Sequence, residues 1–164
     1  MSNALVSMKD SNARGELIQL VSFNLDREEY GIEVLKVREI IRMTTITHMP
    51  NTPHYVEGII NLRGKVIPIV SMRKRFGMAE SGNDIHTRIM VMDIEGELMG
   101  FIVDAVSEVI RISASEIQPS PSMVASGVDQ ECIAGVINQA ERLLVLLDLD
   151  KMFSSEEKEI FNSI

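Results

Sequence analysis

Few side chains in this chain have the types and spacing that chemistry requires. His48 and His54 flank a short bend and could approach one another, but two imidazoles without a third ligand make an incomplete metal site. Asp148 and Asp150 form an Asp-x-Asp pair, which also fits the cap of a short helix. Cys132 lies in an apolar segment, where a buried and inert thiol is the usual outcome. We therefore predict no catalytic residue, no metal site and no cofactor.

The chain contains its own pattern twice. Two pairs of segments each align without a gap: 20–42 with 89–111, and 58–76 with 135–153. The matched positions include Gly31 with Gly100 and Glu39 with Glu108. Most other matches are apolar. The repeat therefore duplicates turn glycines and an apolar pattern rather than a set of nucleophiles or ligands. The repeat predicts two similar modules of about 65 residues each. It favours a binding protein over an enzyme.

Arg63 is the most informative polar residue. It stands at the tip of a predicted hairpin, Asn61–Gly64, between apolar strands. Its counterpart in the second repeat is Ala140, so the fold does not demand an arginine there. Two interpretations stay open at this point, a solvated turn residue and an anchor of a protein interface.

Composition limits the class of protein further. Apolar residues make up 45% of the 164 residues, aromatic residues only 4%, and the net charge is −8. Residues 1–82 carry 11 basic and 9 acidic groups (+2), whereas residues 83–164 carry 5 and 15 (−10). A nucleic-acid partner is not expected, because such binding requires clustered Lys and Arg. The uneven charge suits a protein whose two ends face different partners.

Short strands separated by turn residues predict an all-β fold. We expect the following organisation: a disordered arm over 1–15, a first repeat over about 16–79, a polar linker over 80–84, a second repeat over about 85–153 and a C-terminal helix over 154–164. A single cysteine excludes an internal disulfide. The absence of a signal peptide and of a long apolar run predicts a cytoplasmic protein without direct membrane insertion.

Local signals predict several short helices. Ser71 and Asp148 are expected to cap one each, and Ser154 with Glu157 fits a capping box for the last helix. Thr52 followed by proline predicts a further helix start. Within the first of these helices, Arg73–Arg75 is a run of positive charge, interpreted either as a solvated face or as a contact for an acidic partner.

At this point the residues resemble a known family, that of the chemotaxis coupling protein CheW. The resemblance lies in the following segments: Glu28–Ile40, Asn51–Pro53, Gly58, Asn61–Gly64, Pro68–Val70 and Val103–Val109. It extends from about Glu16 to Phe161. One departure is Ser71-Met72, where the family commonly has Asp-Leu, although serine can still cap the helix.

The resemblance implies two intertwined five-stranded SH3-like barrels. It implies a non-catalytic adaptor that couples methyl-accepting chemoreceptors to the histidine kinase CheA, a two-component signalling kinase. The adaptor would be recruited to membrane-associated receptor arrays. Positions tied in the family to receptor or kinase contact are occupied here by Val37, Glu39, Gly58, Arg63, Gly100 and Val109. An enzyme or small-ligand sensor that uses a groove between the barrels is the alternative.

Overall fold

A computed structural model describes residues 17–119, 132–139 and 141–162. Within these residues the strands are β1 (Leu17–Leu25), β2 (Glu28–Glu33), β3 (Val37–Arg42), β4 (Val56–Leu62), β5 (Lys65–Ser71), β6 (Arg88–Ile94), β7 (Glu97–Val103), β8 (Ala105–Ser113), β9 (Ile117–Gln118), β10 (Ile133–Gln139) and β11 (Arg142–Leu147). The α-helices are α1 (Met72–Arg75) and α2 (Ser155–Asn162), and 3₁₀ turns cover Val34–Lys36, Ala114–Glu116 and Leu149–Lys151. The all-β prediction is confirmed. The arm expected over 1–15 lies outside the described residues.

The strands form two sheets, and the chain folds into two compact units. One sheet has the order β8-β1-β2-β11-β10-β9, and the other has the order β3-β6-β7-β5-β4. Among the described residues, unit 1 takes those up to Leu35 and those from Ser107 to Met152. Unit 2 takes Lys36–Val106 and the residues from Phe153 onward. Five strands are expected in each barrel, and the six-stranded sheet contains these plus the two-residue β9.

Each sheet contains one parallel pairing between strands of different repeats. In unit 1, β2 of the first repeat pairs with β11 of the second. In unit 2, β7 of the second repeat pairs with β5 of the first. Antiparallel pairings join neighbouring strands, such as β1 with β2 and β6 with β7. The repeats therefore contribute equivalent strands to the two sheets in exchanged combinations.

The two hydrophobic cores follow the alternation of each strand, because successive side chains point to opposite faces of a sheet. In unit 1 the buried cluster is Leu20, Ile112, Ala134, Ile137, Leu144 and Leu146. In unit 2 it is Ile60, Ile67, Ile69, Ile89 and Val91. Branched aliphatic side chains dominate both clusters, as expected for a chain with few aromatic residues.

Helix caps confirm most of the local predictions. The Ser71 hydroxyl accepts a hydrogen bond from Lys74 N–H at 3.2 Å, and Asp148 accepts one from Asp150 N–H at 3.1 Å. Ser154 and Glu157 form the reciprocal capping box, with distances of 2.9 and 3.1 Å. These short segments begin where the sequence predicts because each cap satisfies a backbone N–H that the first helical turn leaves free.

The C-terminal helix α2 packs on aromatic residues of unit 2. The Tyr55 ring lies 5.8 Å from the Phe153 ring and 6.4 Å from the Phe161 ring, centroid to centroid. Tyr55 donates its hydroxyl hydrogen bond to Glu157. The Arg75 guanidinium lies over the Tyr55 ring at 5.4 Å, a cation–π contact. Two aromatic residues and one carboxylate of the C-terminal segment thus attach it to unit 2.

Two local features differ from the sequence prediction. The helix expected at Thr52 is wrong, since only turns lie between Asn51 and Tyr55 before β4 begins. Val56 N–H bonds to Pro53 C=O at 2.9 Å and closes a single turn, which leaves no room for a helix. Strand β8 was not predicted; four of its nine residues are exposed and only one is buried, so it lacks the regular alternation of a half-buried strand.

The exchanged pairings predict that neither half of the chain folds alone. Residues 1–82 contain β1–β5 but lack β7 and β11, the parallel partners of β5 and β2. We expect this fragment to show no cooperative thermal unfolding, and co-expression with residues 83–164 to restore it. Circular dichroism melts of the fragment, the co-expressed pair and the full chain test this. A cooperative melt of the fragment alone would contradict the prediction.

Candidate protein-interaction surfaces

Arg63 and Glu39 form a paired charge at the surface of unit 2. Arg63 sits in the β4–β5 turn with a φ of 51°, a left-handed conformation that is uncommon outside glycine. Its guanidinium bonds to both carboxylate oxygens of Glu39 in β3, one of them at 3.2 Å from Nη1. The Arg63 side chain remains 70% exposed. The structure therefore brings together two of the six residues predicted from the family resemblance.

The pairing changes the acidity of Glu39. The hydrogen bond from Arg63, supported by its charge, lowers the pKa of the Glu39 carboxyl below its usual range. A bidentate guanidinium–carboxylate pair has a fixed planar geometry, so it orients both groups. Because Arg63 stays exposed, its charged face is available to a partner. The turn arginine is thus neither free in solvent nor buried.

A side chain at Gly58 would collide with backbone, and one at Gly100 would collide with neighbouring core side chains. A Cβ on Gly58, which has a φ of 149°, would lie 2.1 Å from the carbonyl oxygen of Thr47. Thr47 and Ile59 bridge there through two backbone hydrogen bonds of 2.9 Å. A Cβ on Gly100 would lie 2.5 Å from Ile69 Cδ1, where β5 runs beside β7. Both glycines are buried, so the geometry gives them a packing role.

Val37 and Val109 differ in exposure. Val37 begins β3 opposite Met92 and is half-buried, next to an irregularity in the ladder at Arg38. Val109 lies in β8 of unit 1 and is 58% exposed. An exposed valine on an edge strand gives apolar contact area without further rearrangement. Of the four non-glycine positions, Val109 and Arg63 are the most accessible.

Unit 1 contains a charge network that the sequence did not reveal. Arg142 donates from Nε to Glu29 at 2.7 Å and from Nη1 to Glu108 at 2.6 Å. The hydrogen bond from Arg142 lowers the pKa of Glu29, although burial opposes the shift. The repeat could have indicated the glutamate of this network, because Glu108 is the counterpart of Glu39 and both glutamates pair with an arginine. The arginine could not be found that way, since Arg142 aligns with Lys65 and not with Arg63.

The three positive side chains of α1 all contact other residues of unit 2. Arg73 donates to Asp104 from Nε at 2.8 Å and to the Ala79 carbonyl at 2.7 Å. Lys74 pairs with Glu57 at 2.8 Å. Arg75 contacts aromatic rings, as described above. The interpretation as a solvated face is therefore wrong for these residues, and their charges hold neighbouring segments in place.

Residues 17–119, 132–139 and 141–162 hold no group of three or more His, Cys, Asp or Glu side chains arranged to bind a metal ion. Over the same residues, no helix has the length and apolar content needed to cross a membrane.

Two small β units, each built from strands of both repeats, have the architecture expected of a double SH3-like barrel. The family profile described as CheW-like domain matches residues 19–157. The chain belongs to the CheW-like family.

Relatives and a solved structure agree over most of the chain. The chain is 39% identical to Chemotaxis protein CheW of Treponema pallidum, covering 87% of this chain and 85% of the relative. It is 34% identical to Chemotaxis protein CheW of Klebsiella aerogenes, covering 94% and 93%. The crystal structure of the scaffolding protein TtCheW from Thermoanaerobacter tengcongensis superposes with a TM-score of 0.80 at 36% identity, covering 88% of this chain and 97% of that one.

Steric crowding predicts that Gly58 cannot be replaced. We expect Gly58→Ala to lower the free energy of unfolding by about 1–3 kcal/mol, because the new Cβ strains the backbone and meets a backbone oxygen. Gly82→Ala is the matched control, since a Cβ there has open space around it. Urea denaturation of both variants measures the difference. Equal stability of the two variants would contradict the packing role.

The ion pair of Glu29 with Arg142 predicts that Glu29 contributes to the free energy of unfolding and that this contribution is lost in acid. A carboxyl whose folded-state pKa is depressed stabilises the fold above its unfolded pKa, here 4.5, and that contribution is lost as the pH falls through the lower folded value. We expect Glu29→Gln to destabilise the protein at neutral pH and to matter progressively less on the acid side of pH 4.5. Denaturation curves across this range test it. A stability difference that does not change with pH would show that the charge of Glu29 contributes nothing.

Proposed function

We propose that this chain is a non-catalytic adaptor that couples methyl-accepting chemotaxis receptors to the histidine kinase CheA. The observation that carries the proposal is the CheW-like match over residues 19–157, which includes both units. The scaffolding role named for the solved relative supports it. An adaptor acts by holding partners together, and this requires exposed contact residues on a stable body rather than a reactive centre.

The exposed charge pair of unit 2 supports direct contact with a partner. Arginine is enriched among the residues that dominate interface energies, because one side chain offers several directed hydrogen bonds with a long apolar stem. Glu39 holds one edge of the Arg63 guanidinium and fixes its direction. Less conformational entropy is then lost when a partner carboxylate or carbonyl binds to the exposed part.

The remaining family positions divide into two roles in this proposal. Val109 offers an exposed apolar contact, and Val37 lies half-buried at the start of β3. Gly58 and Gly100 act indirectly, because their missing side chains let neighbouring segments approach closely. A larger residue at either glycine would displace the strands that carry the contact residues.

A reconstituted signalling assay tests the function. CheA autophosphorylation is measured with and without receptor cytoplasmic fragments, in the presence and absence of this protein. We expect stimulation only when receptor, kinase and adaptor are all present. Stimulation of the kinase without receptor, or failure of the wild-type chain to bind either partner in a pull-down, would overturn the coupling role.

Arg63 provides the sharpest test of the contact surface. We expect Arg63→Ala to leave the melting temperature nearly unchanged, since exposed ion pairs contribute little to stability. Binding to at least one partner should weaken by about tenfold or more, as for an interface hot spot. Arg63→Glu should weaken it further, and high salt should reduce the difference between the variants if the contact is solvated. Calorimetry with receptor fragments and with the kinase regulatory domain gives both affinities.

A charge swap distinguishes contact from geometry. The double variant Glu39→Arg and Arg63→Glu restores an ion pair but reverses its orientation. We expect it to bind as poorly as Arg63→Glu, because the partner meets the wrong charge. Lys65→Ala, on an exposed lysine two residues along the hairpin, is the control and should bind like the wild type. Equal binding by all variants would show that Arg63 is only a solvated turn residue.

A further inference from the structure

In β8, the backbone around Glu108 is fastened to β1 by side chains. The hydroxyl of Ser22 in β1, a residue with 0% exposure, donates to the Glu108 carbonyl at 3.2 Å and accepts from the Glu108 N–H at 3.3 Å. Ser107 bonds to the side chain of Asn24 at 2.8 Å. The N–H and the C=O of Glu108 are thus both hydrogen-bonded to one serine oxygen.

Arg142 completes this arrangement from β11. Its Nη2 donates to the same Ser22 oxygen at 3.3 Å, and its Nη1 donates to the Glu108 carboxylate at 2.6 Å. The Ser22 hydroxyl then makes one donor and two acceptor bonds, which is the full capacity of a serine hydroxyl. Through Nε and Nη2, Arg142 is itself held by Glu29 in β2. One guanidinium therefore connects β11, β2, β1 and the Glu108 side chain.

The segment fixed in this way is the one that presents Val109. Strand β8 stands at the end of its sheet, with β1 as its sheet neighbour. Glu108 and Val109 are both more than half exposed, at 53% and 58%. A strand paired on one side can shift or fray more easily than a central one, so extra attachments determine where its exposed residues lie.

We propose that Arg142 is a positioning residue for the partner-binding segment Glu108–Val109, acting with Ser22 to fix β8 for docking. The inference rests on the proposed adaptor function and deepens it. It assigns to this segment a partner surface that combines an aliphatic contact for Val109 with a hydrogen-bond donor or cation for the exposed Glu108 carboxylate. Arg142 itself is mostly covered and touches the partner only through Glu108 and the strand.

Arg142→Lys tests the proposal with the positive charge retained. A lysine ammonium is a point charge and cannot reproduce the planar contacts to Glu29, Glu108 and Ser22 together. We expect faster amide hydrogen exchange at residues 107–110 and a loss of affinity of about threefold to tenfold for the partner that Val109→Ala weakens. Arg111→Lys, an exposed arginine of the same strand, is the matched control and should change neither measurement.

A double-mutant cycle separates positioning from general stability. If Arg142 acts through Val109, the variant Arg142→Lys with Val109→Ala should lose less affinity than the product of the two single losses. Ser22→Ala should reproduce the local exchange effect, and binding through Arg63 should stay unchanged in each case. Protection of the unit 1 core strand β10 monitors whether the fold itself is affected.

The outcomes are distinct from those that test the adaptor function. Wild-type binding to neither receptor fragment nor kinase would refute the proposed function. Wild-type binding with multiplicative losses in the cycle, with no effect of Val109→Ala, or with exchange that rises equally throughout unit 1, would overturn the positioning role alone. Non-additive losses with exchange confined to β8 support it.

Discussion

Parallel pairing between strands of different repeats is the constraint on which each unit depends. Parallel strands cannot be joined by a tight turn, so the chain must travel a long way before it returns to the neighbouring position. Here β2 and β11 are far apart in sequence, and so are β5 and β7, yet each pair is central in its sheet. The strands flanking each pairing are then added by short antiparallel hairpins. Neither unit has a complete sheet until both halves of the chain are present.

Glycine makes this pairing possible in the same way in both sheets. Gly31 in β2 lies opposite Leu146, and Gly100 in β7 lies opposite Ile69. A Cβ on Gly31 would meet Leu144 Cδ2 at 2.9 Å, a crowding similar to that at Gly100. The bare backbone leaves space for a large aliphatic side chain from the neighbouring strand, and those side chains fill the core. Both repeats have a glycine at this point, and in each sheet the glycine gives room to the side chain of the neighbouring strand.

The sequence predicted the elements with strong local signals and missed those defined by distant contacts. The hairpin around Arg63 and the caps at Ser71 and Asp148 lie where turn and capping chemistry indicate. The repeat indicated two similar modules, but it could not show that β2 pairs with β11, since no local pattern encodes a partner more than a hundred residues away. The network of Arg142 was missed for the same reason. The Thr-Pro pair at 52–53 led to a wrong helix prediction, because the same two residues can begin either a helix or a single turn.

The matched glutamates of the two repeats, Glu39 and Glu108, each pair with an arginine, but the two pairs differ in what else the arginine holds. Glu39 pairs with an arginine at an exposed turn, and exposed ion pairs contribute little to stability, so we expect loss of that arginine to leave the sheet intact. Glu108 pairs with an arginine that also holds Glu29 and the buried Ser22 hydroxyl, so the same kind of bond is part of the attachment of an edge strand. In the proposed adaptor, substitutions at the first arginine would therefore change affinity with little change in stability. In the proposed adaptor, substitutions at the second arginine would act on affinity through the position of β8, because the same guanidinium bonds to Glu108 and Ser22.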